Sequence, residues 1–305
     1  MPYSPRWAYI PLAAMVTLPG APQTGREAEV AVTVAFTEGP AVDAAGNVYF
    51  TDTANSRILK WQPDGALSTF RQPSNGANGL VFDRQWRLLA CEAGKPPQVT
   101  RTDLQSGRVE VLAESYQGKP FNSPNDITLD GRDRIYFTDM GGASVYRLDP
   151  DGRLARLLAA PDIERPNGLV VSPNDRTLYL VEANRAEKGA RMIRAYDLRP
   201  DGAVANMRVF HNFYPGRSGD GMAIDSQGNL YVAAGLHRRR GSSETLDTEP
   251  GVHVFSPAGK RIDFIPIPED TITNCAFGGP DLKTLYVTAG KTLFRVRVQI
   301  AGTRR

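Results

Sequence analysis

The stretch Asn167-Gly168-Leu169-Val170-Val171-Ser172, followed across the turn Asn174-Asp175-Arg176 by Leu178-Tyr179-Leu180-Val181, decides the fold, because the chain repeats its pattern six times. Each copy opens on a polar residue, continues as a short apolar run, turns, and returns as a second run rich in aromatic and β-branched residues. The other openings are Glu38-Gly39-Pro40-Ala41-Val42-Asp43, Asn78-Gly79-Leu80-Val81-Phe82-Asp83, Asn125-Asp126-Ile127-Thr128-Leu129-Asp130, Asp220-Gly221-Met222-Ala223-Ile224-Asp225 and Asn274-Cys275-Ala276-Phe277-Gly278-Gly279. Their second runs include Val48-Tyr49-Phe50-Thr51, Ile135-Tyr136-Phe137-Thr138 and Leu285-Tyr286-Val287-Thr288. Openings recur every 40 to 54 residues. A period of about 40–50 residues built from short strands is the signature of a four-stranded propeller blade.

Third strands, such as Arg57-Ile58-Leu59-Lys60-Trp61 and Val145-Tyr146-Arg147-Leu148, close on the turns Pro63-Asp64-Gly65 and Pro150-Asp151-Gly152. The sequence therefore predicts an all-β fold, a six-bladed β-propeller over residues 26–305. The alternating segment from Glu29 to Val34 is expected to join the last blade beside Leu293 to Val298, so that both chain ends close the ring and no open sheet edge remains.

Composition agrees with a chain cut by turns: 29 Gly and 23 Pro in 305 residues disfavour long helices. Thirty-six Lys and Arg against 33 Asp and Glu leave a net charge of +3, too small and too evenly spread to announce a nucleic-acid partner. The two cysteines, Cys91 and Cys275, have no paired spacing for zinc or a disulfide framework and read as small core residues. Residues 1–25 carry one positive charge, at Arg6, and an apolar stretch interrupted by Pro11. They read as an N-terminal arm or a secretory signal, too short to span a bilayer. Location follows from that choice: periplasmic or secreted with a signal, cytoplasmic without.

In a propeller the innermost strand of every blade borders the central channel, so one register in six blades makes a ring. The openings put Glu38, Asn78, Asn125, Asn167, Asp220 and Asn274 in that ring, all with side-chain oxygen. Hard divalent cations, calcium above all, take six to eight oxygens, whereas zinc favours His or Cys, and His211, His237 and His253 lie outside the register. Asn and Asp also open strands by bonding their own backbone in turns. Glu38 is poor at that task, which favours a ligand role. Asp139, at a strand end before Gly141-Gly142, is a further pocket candidate, since that loop can approach the channel closely.

With these residues in view, the chain resembles the senescence marker protein and gluconolactonase family, calcium-dependent six-bladed propellers that include lactonases and, more distantly, diisopropyl fluorophosphatase. The motifs are Glu38-Gly39-Pro40, Asn122-Ser123-Pro124-Asn125-Asp126, Arg165-Pro166-Asn167-Gly168-Leu169, Gly219-Asp220-Gly221-Met222 and Thr273-Asn274-Cys275. The resemblance implies a lactonase acting on a small-molecule lactone, with Ca2+ (or Zn2+, Mn2+ or Mg2+) on Glu38, Asn167 and Asp220, Asn125 beside metal and substrate, and Asp220 as the catalytic proton carrier. Asn78, Asn274 and Asp139 join Asn125 as expected substrate contacts. Where animal members carry an arginine two residues before that Asn, this chain has Ser123, so their sugar-binding mode does not transfer. A phosphotriesterase-like hydrolase, or a non-enzymatic binding propeller with a structural calcium, is the alternative. Two insertions, Ala183 to Met192 and Gly235 to Gly251, follow strands that return to the ring side. They are expected to overhang the site, bringing Glu182, His237 and the run Arg238 to Arg240 toward substrate.

Overall fold

The computed structural model describes residues 27–304. The readings of residues 1–25 as an arm or signal, and of location from it, lie outside the described residues. Among those described, no helix is long and apolar enough to cross a membrane.

Six four-stranded antiparallel sheets form six blades around a channel. The inner strands are Thr37–Val42, Ala77–Phe82, Pro124–Leu129, Pro166–Val171, Gly219–Ile224 and Ile272–Gly278. Each packs beside the inner strand of the next blade, and that of blade 6 packs beside that of blade 1, which closes the ring. Blade 6 takes its outermost strand, Glu29–Thr33, from the beginning of the described chain, paired antiparallel with Thr292–Arg297. Outside the blades are a short hairpin, Ser115–Tyr116 with Lys119–Pro120, and one 3-10 turn, Thr53–Asn55.

Apolar residues sandwiched between neighbouring sheets form the core. Val252, Val254 and Ile265 of blade 5, for example, pack with Cys275, Leu285, Val287 and Phe294 of blade 6. Burial of such side chains contributes roughly 1.5–3 kcal/mol each, so the framework rests on the blade faces and not on the channel. Cys91 and Cys275 are free and buried.

Two repeated carboxylate devices fix the blade ends. At the foot of the inner strand, Asp43, Asp83, Asp130 and Asp225 each accept two backbone N–H bonds from the hairpin that follows; Asp43 takes those of Ala45 (2.9 Å) and Asn47 (2.8 Å). At the opposite end, the acid closing the second strand holds the blade's own loop. Asp52 accepts from Phe36 N and Arg57, and Glu92 from Thr100 Oγ1 (2.6 Å), Gln98 and Arg71.

Candidate active site

Every inner strand carries a bulge at the ring. Pairing with the second strand skips between Glu38 and Ala41, Ala77 and Leu80, Pro124 and Ile127, Pro166 and Leu169, Gly219 and Met222, and Ile272 and Asn274. A bulge re-aims the extra residue away from the ladder. Here it points Glu38, Asn78, Asn125, Asn167 and Asp220 toward the channel. The residue that follows is glycine in four blades because adjacent inner strands nearly touch there. A Cβ on Gly168 would lie 2.1 Å from the Asp220 carbonyl oxygen, and one on Gly39 2.0 Å from that of Asn78.

The same register corrects the sixth position. Ile272 faces Ala289 as Ala77 faces Glu92, so Thr273, not Asn274, is the counterpart of Asn78. Thr273 Oγ1 is engaged by Thr37 O (3.0 Å) and Thr288 O (2.9 Å), and blade 6 brings no free ligand to the ring. Asn274 stands one step deeper, level with the glycine column. The one other side chain in that column is Asp126. These two residues come from opposite blades and face each other as a latch, with Asn274 favouring the ionised form of Asp126. Asn274 Oδ1 accepts from Cys275 N (2.8 Å), and Asp126 Oδ1 accepts from Ile127 N (2.9 Å). Beyond this latch, toward the other mouth, lies a cavity of about 550 Å3 lined by Phe82, Trp86, Leu129, Ile224 and Phe277, with the C-terminal Thr303 and Arg304 at its rim. Asp126 and Asn274 are part of its lining, whereas Glu38, Asn78, Asn125, Asn167 and Asp220 are not.

Above the latch the charges converge. Glu38, Asp126 and Asp220 are 6 to 7% exposed. Burial, with the charges of Asp220 and Asp126 nearby, holds the Glu38 carboxyl well above the usual carboxylate range. Burial likewise pushes Asp126 up to about 7. Asp220 is also raised by burial, against Arg217, Arg185 and an Asn167 amide hydrogen bond that favour its ionised form. Arg217 Nη2 donates to Asp220 Oδ2 at 2.5 Å. Three buried carboxylates thus share one close guanidinium, a deficit of positive charge that suits a hard dication. The donors are carboxylate and amide oxygens, with no imidazole or thiolate in the set. Among the described residues no three His, Cys, Asp or Glu side chains gather in metal-holding geometry, so any ion here leans on the amides.

Glu38, Asn167 and Asp220 therefore come together; Asn125 is buried in the ring beside them and Asn78 is half-buried in it. Asp139 does not belong to the pocket. Its carboxylate accepts the backbone N–H of Asn122 (3.0 Å), Ser123 (2.6 Å) and Gly142 (3.3 Å), the same loop-holding device as Asp52. Glu182 is likewise wholly buried, bonded to Glu164 N, Arg165 N and Arg194. His237 Nε2 is bonded to Ile267 O, and its backbone N–H donates to Asp270. Sequence reasoning missed Asp126 and Arg217 as site residues. Asp126 leaves a trace in the sequence as the side chain that interrupts a column of glycines.

Fold and site together define a six-bladed propeller whose channel is ringed by buried carboxylate and amide oxygens. The chain belongs to the SMP-30/gluconolactonase/LRE-like family, whose model matches residues 36–291. A gluconolactonase of Zymomonas mobilis is 29% identical, over 90% of this chain and 81% of that protein. A gluconolactonase structure from Xanthomonas campestris superposes with a TM-score of 0.77 at 30% identity, covering 90% of each chain. The calcium-binding protein regucalcin of Agrobacterium tumefaciens shares the fold, with a TM-score of 0.74 at 20% identity over 90% of this chain and 93% of that one.

Proposed function

We propose that the protein hydrolyses small sugar or aliphatic lactones at this pocket, using a divalent cation, calcium first, held by Glu38, Asn167 and Asp220 with Asn125 beside it. The observation that carries the reading is the burial of Glu38 beside Asp220, whose charge raises the Glu38 carboxyl further, with the Asn167 amide close to Asp220. Such a pair is costly without a cation and complete with one. The similarity to two gluconolactonases supports the lactone as substrate class.

When bound, the cation supplies a Lewis acid that polarises the lactone carbonyl and stabilises the tetrahedral oxyanion. The protein's own residues do the rest. Asp220 takes a proton from the attacking water and returns it to the ring oxygen that leaves as the alcohol. Arg217 donates to the Asp220 carboxylate and holds it in place for that transfer. Asn125 orients the substrate from the neighbouring blade.

The test is a panel of glucono-, galactono- and butyrolactones assayed after chelation and after restoring calcium. Hydrolysis that stops with the chelator, returns with calcium and is lost in Asp220→Ala while the fold survives is the expected result. Full hydrolysis in the chelated protein contradicts the reading.

A further inference from the structure

Arg217 reaches Asp220 from a segment that is anchored along its length. Pro215-Gly216-Arg217-Ser218 runs from the outer strand of blade 4, Val204–Asn212, into the inner strand of blade 5, Gly219–Ile224. Pro215 O accepts from two donors, Arg191 Nη1 (2.6 Å) and Thr245 N (3.0 Å). Gly216 bridges to Thr245, and a Cβ on it would lie 2.2 Å from Thr248 Oγ1. Ser218 Oγ donates to Glu182 O (2.6 Å). Between these anchors Arg217, itself buried, donates from Nη2 to Asp220 Oδ2.

Arg191 is the hub. It is wholly buried, with its guanidinium 5.2 Å from the centroid of the Tyr214 ring. In the first insertion Nε donates to Asn184 O (3.0 Å) and Nη2 to Ala186 O (2.9 Å), and Nη2 is also bonded to Ser243 in the second insertion. Ser243 Oγ donates in turn to Arg185 O (3.1 Å), and Phe213 N to Arg191 O (2.8 Å). A guanidinium carries five N–H donors in a rigid fork, so one side chain can fix three chain segments at once. A hydrogen bond weakens steeply as its angle leaves the optimum. A shift of Pro215 is therefore passed along two residues to Arg217 and its bond to Asp220.

We propose that Arg191 is a positioning residue for Asp220: by fixing Pro215 O it sets the place of the Pro215 to Ser218 segment, and with it the reach of the Arg217 guanidinium to the Asp220 carboxylate. This rests on Asp220 as proton carrier in the lactone hydrolysis proposed above. The rival role for the same side chain is to hold the two insertions alone, which leaves the Arg217 bond to Asp220 untouched.

A double-mutant cycle separates the two. kcat and KM for gluconolactone at saturating calcium, and calcium affinity by calorimetry, are measured in the wild type, Arg191→Met, Arg191→Lys, Arg217→Met and Arg191→Met combined with Arg217→Met, with urea midpoints showing that each is folded. Positioning predicts that Arg191→Met lowers kcat about tenfold while KM stays within about twofold. It predicts a smaller loss in Arg191→Lys, which keeps a donor for Pro215 O, and no further loss from Arg191→Met once Arg217 is gone. Calcium affinity should shift in Arg191→Met in the same direction as in Arg217→Met. Unchanged kcat, a rise in KM alone, or losses that multiply in the double variant overturn the proposal. If Arg191→Met does not fold, the cycle is run with Arg191→Lys, where no loss or multiplying losses overturn it equally. Calcium binding needs no turnover, so the two readings fail separately. A non-additive shift in calcium affinity in a protein that opens no lactone overturns the lactone reading and leaves the positioning role. Lactone hydrolysis with an additive cycle overturns the positioning role alone, and a protein that neither opens a lactone nor binds calcium overturns both.

Discussion

Asp126 and Asn274 face each other from opposite blades, at the step where the other four blades carry glycine. The Asp126 carboxyl titrates near about 7 instead of its ordinary 3.8, because burial penalises its charge. A carboxyl whose pKa is raised by folding favours the folded state while protonated and loses that contribution as pH rises through the folded value. Glu38 and Asp220 shift in the same direction. The chelated protein is therefore expected to lose stability steadily as pH rises from about 4 to about 7. Asp126→Asn should flatten the upper part of that loss. Urea midpoints at pH 5 and pH 7.5 check it, and equal slopes in the two proteins would contradict it. At the same scale, Glu38→Gln removes one of the buried charges a cation would neutralise. Calcium affinity should fall by about tenfold or more, read by titration calorimetry.

The bulged inner strand is the element that turns a sheet into a site. Gly168 shows the constraint: with its prospective Cβ 2.1 Å from Asp220 O, Gly168→Ala must push blade 5 away. We expect a cost of about 1–3 kcal/mol, as for overpacked cores, seen as a lowered Tm together with weaker cation binding. Bulges also explain what was legible in the sequence. Five ring residues were readable because each polar opening precedes an apolar run at a nearly constant offset from the second strand. The sixth was misphased by one because the hairpin of blade 6 is longer, and Asn274 resembles the other openings more than Thr273 does. Asp139 misled for a related reason. Its acidity reflects a loop-holding duty shared with Asp52, Glu92 and Glu182, and which amides a strand-end carboxylate serves is a matter of three-dimensional approach. The insertions illustrate the same limit. Strand direction could be read in advance, but not that the wholly buried Arg191 clamps the first insertion by donating to Asn184 O, Ala186 O and Pro215 O. Replacing it, in Arg191→Leu, strands several carbonyls without donors. Tryptic cleavage within Arg238 to Arg240 should then quicken by about tenfold or more relative to the wild type, and unchanged cleavage would show that the loop is held by other means.

At the scale of the whole molecule, the strand Glu29–Thr33 makes the propeller a closed object, because blade 6 is completed from both chain directions. The repeat period made this closure readable in advance, since six copies and one surplus alternating strand leave a single economical arrangement. The channel it encloses gathers buried carboxylates at the ring, and a separate set of residues lines a cavity of about 550 Å3 that includes Asp126 and Asn274. The central claim is that a divalent cation resides at the ring. Anomalous scattering from crystals grown with calcium tests it most directly. The account predicts a single strong peak bounded by Glu38, Asn167 and Asp220, with oxygens at about 2.3–2.6 Å, and its loss in Glu38→Gln. A channel without a peak, or a peak on the far side of Asp126 and Asn274, would contradict it.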